Sequence, residues 1–460
     1  MVTHFKRALG PFDATMVVVG GIIGAGIFIN PYIVAQRLPS SGWVLAAWAA
    51  GGAIALAGAL AYAELGSLFP KAGGQYVYLR DAYHPLVGFL YGWALLLMIE
   101  CGAIAAVAIT FAEYALRLAG RDGASALPLA IAAIVAVSAI NYLGVKPGSR
   151  VLNVFVVLKV AALAVLIGAG FLLAPAVADV SLEAQGSVSA EAASRPAGPI
   201  AVLFGAALIP ILFSYGGWQN ANYVAEEIAE PRRNLPRALL GGTLLVAAVY
   251  VLVNVVYLRA LGLEGLAATR TPASDAAGRL LGPAGDRFVA AAIAISTFGF
   301  LDLAVLAPTR VYYAMAADGL FFRDVARLHP RFRTPSLAIV LQAGWAIALA
   351  LTGTYAALVD TVVFADWIFF GLTVASVLVF RRRVPLASRP PGSFRAPLYP
   401  LLPILFAIVS AGVVASVVAS NPVRSGVGAA LLLAGVPGYL YWRRRAPTPA
   451  GEAKGRGERE

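Results

Sequence analysis

Apolar residues fill this chain in long runs, and polar residues are concentrated in the short segments between them. A helix needs about 20 apolar residues to cross roughly 30 Å of hydrocarbon. Windows of that length recur along the sequence, and the one at 127–143 is the shortest. The pattern predicts an all-α integral membrane protein with twelve transmembrane helices, over residues 14–36, 43–66, 86–116, 127–143, 150–174, 199–228, 236–260, 286–317, 336–353, 356–381, 399–419 and 424–442.

Two of these windows are interrupted near their middle. The first contains Gly24–Ala25–Gly26, and the sixth contains Gly216–Gly217 shortly after Pro210. A break in a spanning helix survives only where the freed backbone groups find partners, and binding sites of transporters are built on such breaks. Because the breaks lie five helices apart, the two five-helix units would insert in opposite orientations. We therefore expect a 5+5 inverted repeat with discontinuous helices 1 and 6.

Composition supports a membrane protein and indicates its orientation. Of the 460 residues 60% are hydrophobic and 13% charged, whereas about 25% are charged in an ordinary soluble domain. The net charge is +12, but 24 of the 35 basic residues fall in segments that are cytoplasmic if the N-terminus is inside. This asymmetry follows the positive-inside rule. The basicity therefore predicts two cytoplasmic termini and contact with the lipid bilayer, not a nucleic-acid partner.

The backbone of the first break is a candidate site for a zwitterion. Unwinding would expose N–H groups of Gly24, Ala25 and Gly26 at the positive end of the second half-helix, which suits a carboxylate. The carbonyls of Ile22 and Ile23 would be free at the end of the first half-helix and suit an ammonium group. A small-residue packing face is an equally good interpretation of the motif alone.

The second break offers matching groups. Carbonyls of Phe213 and Gly216 would complete the ammonium site. The Phe213 ring is large enough to cap a bound ligand, although a ring of this kind is more often packed in a core.

Ionisable side chains inside the membrane are candidates for function. Lys159, in the fifth window, is interpreted in three ways: a proton carrier, a fixed cation in place of a coupling sodium ion, or a tether to the unwound first window. Glu100, Asp302 and Asp366 could be counter-ions, proton relays or hydrogen-bonding partners of a neighbouring helix, and the sequence leaves these roles open.

No metal, cofactor or enzyme chemistry is predicted. The three histidines lie in loops or near the terminus, and Cys101 is the single cysteine. No intramembrane group has the spacing of metal ligands, and no Ser/His pair suggests a hydrolase.

The chain resembles the amino acid–polyamine–organocation (APC) superfamily, most closely its L-type amino acid transporter branch and the bacterial relatives of that branch. The resemblance covers roughly residues 14–383. The segments that carry it are GGIIGAGIFINP at 20–31, RVLNVFVVLKVAAL at 150–163, FSYGGWQNANYVAEEIAEPRRNLPRA at 213–238, RVYYAMAADGLFF at 310–322, and DWIFFGL followed by RRR at 366–383.

The resemblance implies a leucine-transporter-like fold and amino acid transport by alternating access. By motif, the substrate carboxylate would meet the backbone of 24–26. The amino group would meet carbonyls of Ile22, Phe213 and Gly216. Phe213 would be the gating aromatic, and Lys159 would correspond to the lysine that replaces sodium in sodium-independent members.

Three positions bear on substrate and partners. Ala25 stands where the family often has Ser, and Gly216 stands where relatives that accept cationic amino acids can carry an acid. The second difference favours neutral substrates. The loop Arg117–Ala126 lacks the cysteine through which eukaryotic members bond a glycoprotein, so no disulfide-linked subunit is expected.

We therefore expect a sodium-independent transporter of neutral L-amino acids in the cytoplasmic membrane, working as an exchanger or a proton symporter. Residues 1–383 would form the ten-helix transport core, 384–442 helices 11 and 12, and 443–460 a disordered cytoplasmic tail. The alternatives are a polyamine or organic-amine carrier and a membrane amino acid sensor without net flux. The short tail offers no signalling domain.

Overall fold

The computed structural model describes residues 5–121, 123–173, 198–352 and 355–445. Within these ranges the chain is helical, with one isolated β-bridge between Leu9 and Ile228 and no strand. The helices in chain order are α1 Pro11–Ile22, α2 Gly26–Ile29, α3 Pro31–Arg37, α4 Ser41–Leu68, α5 Gln75–Ala82, α6 Pro85–Ala94, α7 Glu100–Leu118, α8 Leu127–Tyr142, α9 Val145–Leu173, α10 Ile200–Tyr215, α11 Asn220–Tyr223, α12 Pro231–Ala268, α13 Pro272–Leu281, α14 Ala284–Leu306, α15 Thr309–Ala317, α16 Ser336–Thr352, α17 Tyr355–Arg383, α18 Leu401–Ser420, α19 Pro422–Leu433 and α20 Gly435–Arg445.

Helices lie at each of the twelve predicted windows. Within the described ranges, nine helical stretches are long and apolar enough to cross a membrane. Three shorter apolar helices, α1, α8 and α16, lie at the first, fourth and ninth windows. The prediction of an all-α, multi-pass membrane protein is confirmed, and the count of twelve spans stays a prediction.

Both predicted helix breaks are present. The first helix ends at Ile22, and helical structure resumes at Gly26 and runs on towards Arg37. In the sixth window α10 ends at Tyr215, and α11 starts at Asn220.

The two breaks touch each other through their backbones. Gly217 has a φ of +116°, a conformation that glycine adopts without steric cost. A Cβ atom added to Gly21 would lie 2.5 Å from the Gly217 carbonyl oxygen. Only glycine at Gly21 allows this close approach.

The third window contains a feature that the sequence did not predict. Between α6 and α7 the helix makes a five-residue π turn, Leu95–Ile99. A π turn holds more residues than an α-helical turn, and such turns are frequent at functional sites. It ends immediately before Glu100, the first residue of α7.

Long helices hold the broken ones in place. Helix α12 packs along α1, α4 and α9, while α14 packs along α7 and α9. The Tyr250 ring of α12 is completely buried, 5.7 Å from the Trp48 ring and 4.9 Å from the Tyr215 ring, centroid to centroid. This aromatic cluster places Tyr250 beside both breaks.

The C-terminal end differs slightly from the expected domain boundaries. Helix α20 continues to Arg445, so the first three residues of the predicted tail are helical. The remaining residues of that tail, 446–460, lie outside the described residues.

A buried ion pair lies beside the N-terminal segment of the chain. The Arg310 guanidinium contacts both carboxylate oxygens of Glu227 at 2.9 and 3.0 Å, and each side chain is 1% exposed. The Glu227 carbonyl accepts hydrogen bonds from the N–H groups of Ala8 and Leu9, both at 2.9 Å. The pair therefore joins the segment after α11 to α15 and to the start of the chain.

We expect Arg310→Met to lower the free energy of unfolding by about 3–5 kcal/mol, because it leaves the Glu227 carboxylate buried without its partner. The double variant Glu227→Gln/Arg310→Met removes both charges and should recover much of the loss. Thermal unfolding of the purified protein in detergent measures both effects.

The control for this prediction is Arg327→Met. Arg327 is paired with Asp324 at 2.9 Å, but its side chain is 66% exposed, so we expect a change of about 1 kcal/mol or less. Equal unfolding temperatures for Arg310→Met and Arg327→Met would contradict the prediction.

Candidate functional site

A cavity of about 200 Å³ lies where the two breaks face helices α7, α14 and α17. Its wall is mainly apolar, as ligand pockets usually are. The structure brings six of the eight predicted site residues together around it; Ile23 and Lys159 are not among them. The six are Ile22, Gly24, Ala25, Gly26, Phe213 and Gly216.

The glycines of the first break have two separate roles. A Cβ atom added to Gly24 would meet nothing closer than a Phe300 ring carbon at 4.0 Å, so this glycine opens towards the cavity. A Cβ atom on Gly26 would lie 2.6 Å from the Ser214 hydroxyl oxygen, and one on Gly20 would lie 2.8 Å from Val156. The packing interpretation therefore applies to Gly20 and Gly26, while a binding role at Gly24, which borders the cavity, stays a prediction.

Lys159 has the geometry of the tether. Its side chain is completely buried, and its ammonium group donates hydrogen bonds to the carbonyls of Gly20 at 3.2 Å and Ile23 at 2.7 Å. The Gly20 carbonyl needs this donor because the Gly24 N–H bonds to Ile22 instead, at 3.0 Å. Contrary to the expectation from sequence, the Ile23 carbonyl is not free.

Tyr250 joins the two breaks. Its hydroxyl lies 2.9 Å from the Ile22 carbonyl oxygen and 3.2 Å from the Ser214 carbonyl oxygen, and its proton is shared between them. Both carbonyls come at the end of a half-helix, where the next turn no longer donates. The Ile22 carbonyl also accepts the hydrogen bond from the Gly24 N–H at 3.0 Å. Both lone pairs of this carbonyl oxygen are therefore used, and it is not free either.

Side chains of α11 stabilise the second break. The Gly217 N–H donates to the Gln219 side chain at 2.9 Å, and the Asn220 amide donates to the Gly217 carbonyl at 3.0 Å. The Phe213 carbonyl accepts one long hydrogen bond, 3.3 Å from the Gly216 nitrogen. The Phe213 ring is 46% exposed and lines the cavity, so it is not a packed core aromatic.

Pro210 adds a further link between the broken helices. Proline has no N–H to offer the carbonyl four residues earlier, and the Arg37 guanidinium donates to that carbonyl, at Ala206. The Asn30 side chain donates to the Pro210 carbonyl at 3.0 Å and to the Ser214 hydroxyl at 2.8 Å. The second half of the first window is thus held against α10.

The structure separates the three intramembrane acids. Asp302 accepts a hydrogen bond from the Asn141 amide at 2.8 Å and does not line the cavity, so it links two helices. Glu100 and Asp366 both line the cavity. Across the described part of the chain, no group of His, Cys, Asp or Glu residues could hold a metal ion.

Comparison with known proteins gives consistent matches along the chain. The family model described as amino acid permease matches residues 9–440. The human b(0,+)-type amino acid transporter 1 is 32% identical over 91% of this chain and 84% of its own length. The human large neutral amino acids transporter small subunit 2 is 32% identical over 96% and 82%. The serine/threonine exchanger SteT of Bacillus subtilis is 31% identical over 96% and 98%.

The two glycines of the first break make a matched pair of variants. We expect Gly24→Ala to keep its thermal stability and to weaken ligand binding in the cavity, because its methyl group would stand beside the exposed N–H groups. Gly26→Ala should instead lose about 1–3 kcal/mol of stability by overpacking against Ser214. Thermal unfolding, with and without added L-amino acids, measures both; unchanged binding in Gly24→Ala would leave the break a packing feature alone.

Proposed function

The chain belongs to the amino acid permease family of the APC superfamily, near its L-type branch, and from this membership we propose that it exchanges amino acids across the cell membrane. It is a multi-pass transporter and not an enzyme. The observation that carries the proposal is the cavity bounded by two broken helices, because half-helix ends that present backbone N–H groups and carbonyls meet there.

We propose the architecture of twelve spans with a 5+5 inverted repeat and a leucine-transporter-like fold. Residues 1–383 would form the transport core, 384–442 the last two helices, and 443–460 a cytoplasmic tail. The positions of the two breaks, five windows apart, support the repeat. The distribution of basic residues supports cytoplasmic termini.

The substrate would bind as a zwitterion between the breaks. Its carboxylate would accept hydrogen bonds from the backbone N–H groups of Ala25 and Gly26, with the dipole of the second half-helix adding attraction. The Gly24 N–H, contrary to the expectation from sequence, already donates to the Ile22 carbonyl. The ammonium group of the substrate would donate to the carbonyls of Phe213 and Gly216. The Phe213 ring, exposed to the cavity, would cover the bound substrate.

Lys159 would act as a fixed cation in a sodium-independent cycle. Its ammonium group donates to backbone carbonyls at the first break, which a bound metal cation would coordinate in its place. Lys159 itself does not line the cavity. This position favours exchange over proton symport through Lys159, because exchange needs no proton to reach it.

Exchange is tested in proteoliposomes by uptake of labelled leucine, alanine, serine and arginine. We expect uptake into vesicles preloaded with a mixture of amino acids, little uptake into empty vesicles, and no dependence on sodium. An inward proton gradient should not drive uptake into empty vesicles.

Other outcomes point to other functions. Gradient-driven uptake into empty vesicles would mean proton symport. Competition by carboxyl-blocked amino acids at full strength would mean an amine carrier, since such compounds leave the N–H groups of the first break unpaired. Binding without flux would mean a sensor.

We expect Lys159→Met to reduce exchange at least about tenfold, because two buried carbonyls lose charge-assisted hydrogen bonds. The pH dependence of the remaining activity should be unchanged, as expected of a tether. Arg150→Met, an exposed position on the same helix, is the control and should exchange normally. A pH dependence abolished only in Lys159→Met would show instead that Lys159 carries a proton.

A further inference from the structure

The substrate cavity contains two acids and no base. Glu100 at the start of α7 and Asp366 on α17 both line it, and within the described residues its lining includes no Lys, Arg or His. The described lining carries no ionisable side chain other than these two carboxyl groups.

These acids have no partners in the described part of the chain. Glu100 is 6% exposed, and neither it nor Asp366 forms a hydrogen bond or ion pair there. An unpaired carboxylate in an apolar environment is costly. Two other buried acids are paired with cations: Glu227 with Arg310, and Glu64 with two arginines.

A third hydrogen-bond acceptor, the side-chain oxygen of Asn220, lies in the same cavity. Asn220 is 4% exposed and lines the cavity. Its amide nitrogen is used by the Gly217 carbonyl, and its side-chain oxygen has no hydrogen-bond partner among the described residues. Two carboxyl groups and an amide oxygen therefore lack hydrogen-bond donors among the described residues.

The cavity also has room for an apolar stem leading to these acceptors. One face of α7 lines the cavity with residues at helical spacing: Glu100, Ala103, Ala106 and Val107. Trp367 and Phe370 add aromatic surface, which attracts cations as well as methylene groups. A chain of methylene groups ending in a cation matches this sequence of surfaces.

We propose that Glu100 and Asp366 form a subsite for a positively charged side chain, so that the transporter takes basic L-amino acids such as lysine, ornithine and arginine. This proposal rests on the proposed function, since it assumes that the α-amino and carboxylate groups bind at the breaks. It departs from the neutral substrates expected from Gly216, because the acids stand on other helices.

Lysine and norleucine are the decisive pair of probes, because norleucine keeps the four-carbon stem of lysine and lacks only the terminal amine. In preloaded proteoliposomes we expect lysine to compete against labelled arginine about tenfold or more better than norleucine, the effect of charge-assisted hydrogen bonds. Glu100→Gln and Asp366→Asn should lose this preference while their affinity for norleucine stays within about twofold.

The control is Glu113→Gln, an exposed acid on the same helix, which should keep the preference. Thermal unfolding establishes that each variant is folded. If wild-type protein exchanges norleucine but lysine does not compete, the proposal is wrong. It is equally wrong if the two variants weaken lysine and norleucine to the same extent, or if they abolish only a proton-driven uptake of norleucine. Absence of exchange for every amino acid would instead overturn the proposed function.

Discussion

The rest of this structure depends on one constraint: hydrocarbon offers no hydrogen bonds, so each backbone group released by a broken helix needs a partner within the protein. Lys159 donates hydrogen bonds to backbone carbonyls at the first break, and Tyr250 donates to one carbonyl at each break. Arg37 and Asn30 donate to backbone carbonyls around Pro210. Because these donors come from three different windows, satisfying the breaks also fixes how α9, α12 and the first window pack around the cavity.

Features that local chemistry determines could be predicted from the sequence. The length of the apolar runs predicts the helices, and glycine and proline predict where two of them break. The sequence predicted a helix break at Gly24 and Gly26, but it could not predict that the two glycines have different surroundings. That difference depends on Ser214 and Phe300, which approach from elsewhere in the fold.

The remaining features depend on contacts between distant residues. The Ile22 and Ile23 carbonyls were expected to be free, but Tyr250 and Lys159, which donate to them, are 228 and 136 positions away in the sequence. Glu100 directly follows a π turn for which the sequence carried no signal. The acids of the cavity therefore could not be separated from Asp302 before the packing was known.

The contact between Gly21 and Gly217 has a mechanical consequence. Where side chains separate two helices, rotamer changes can absorb a small displacement of one helix before the other responds. Here backbone lies directly against backbone, and a single added carbon on Gly21 would lie 2.5 Å from the facing oxygen. At this contact no side chain lies between the two breaks. A displacement of one half-helix therefore displaces the other directly.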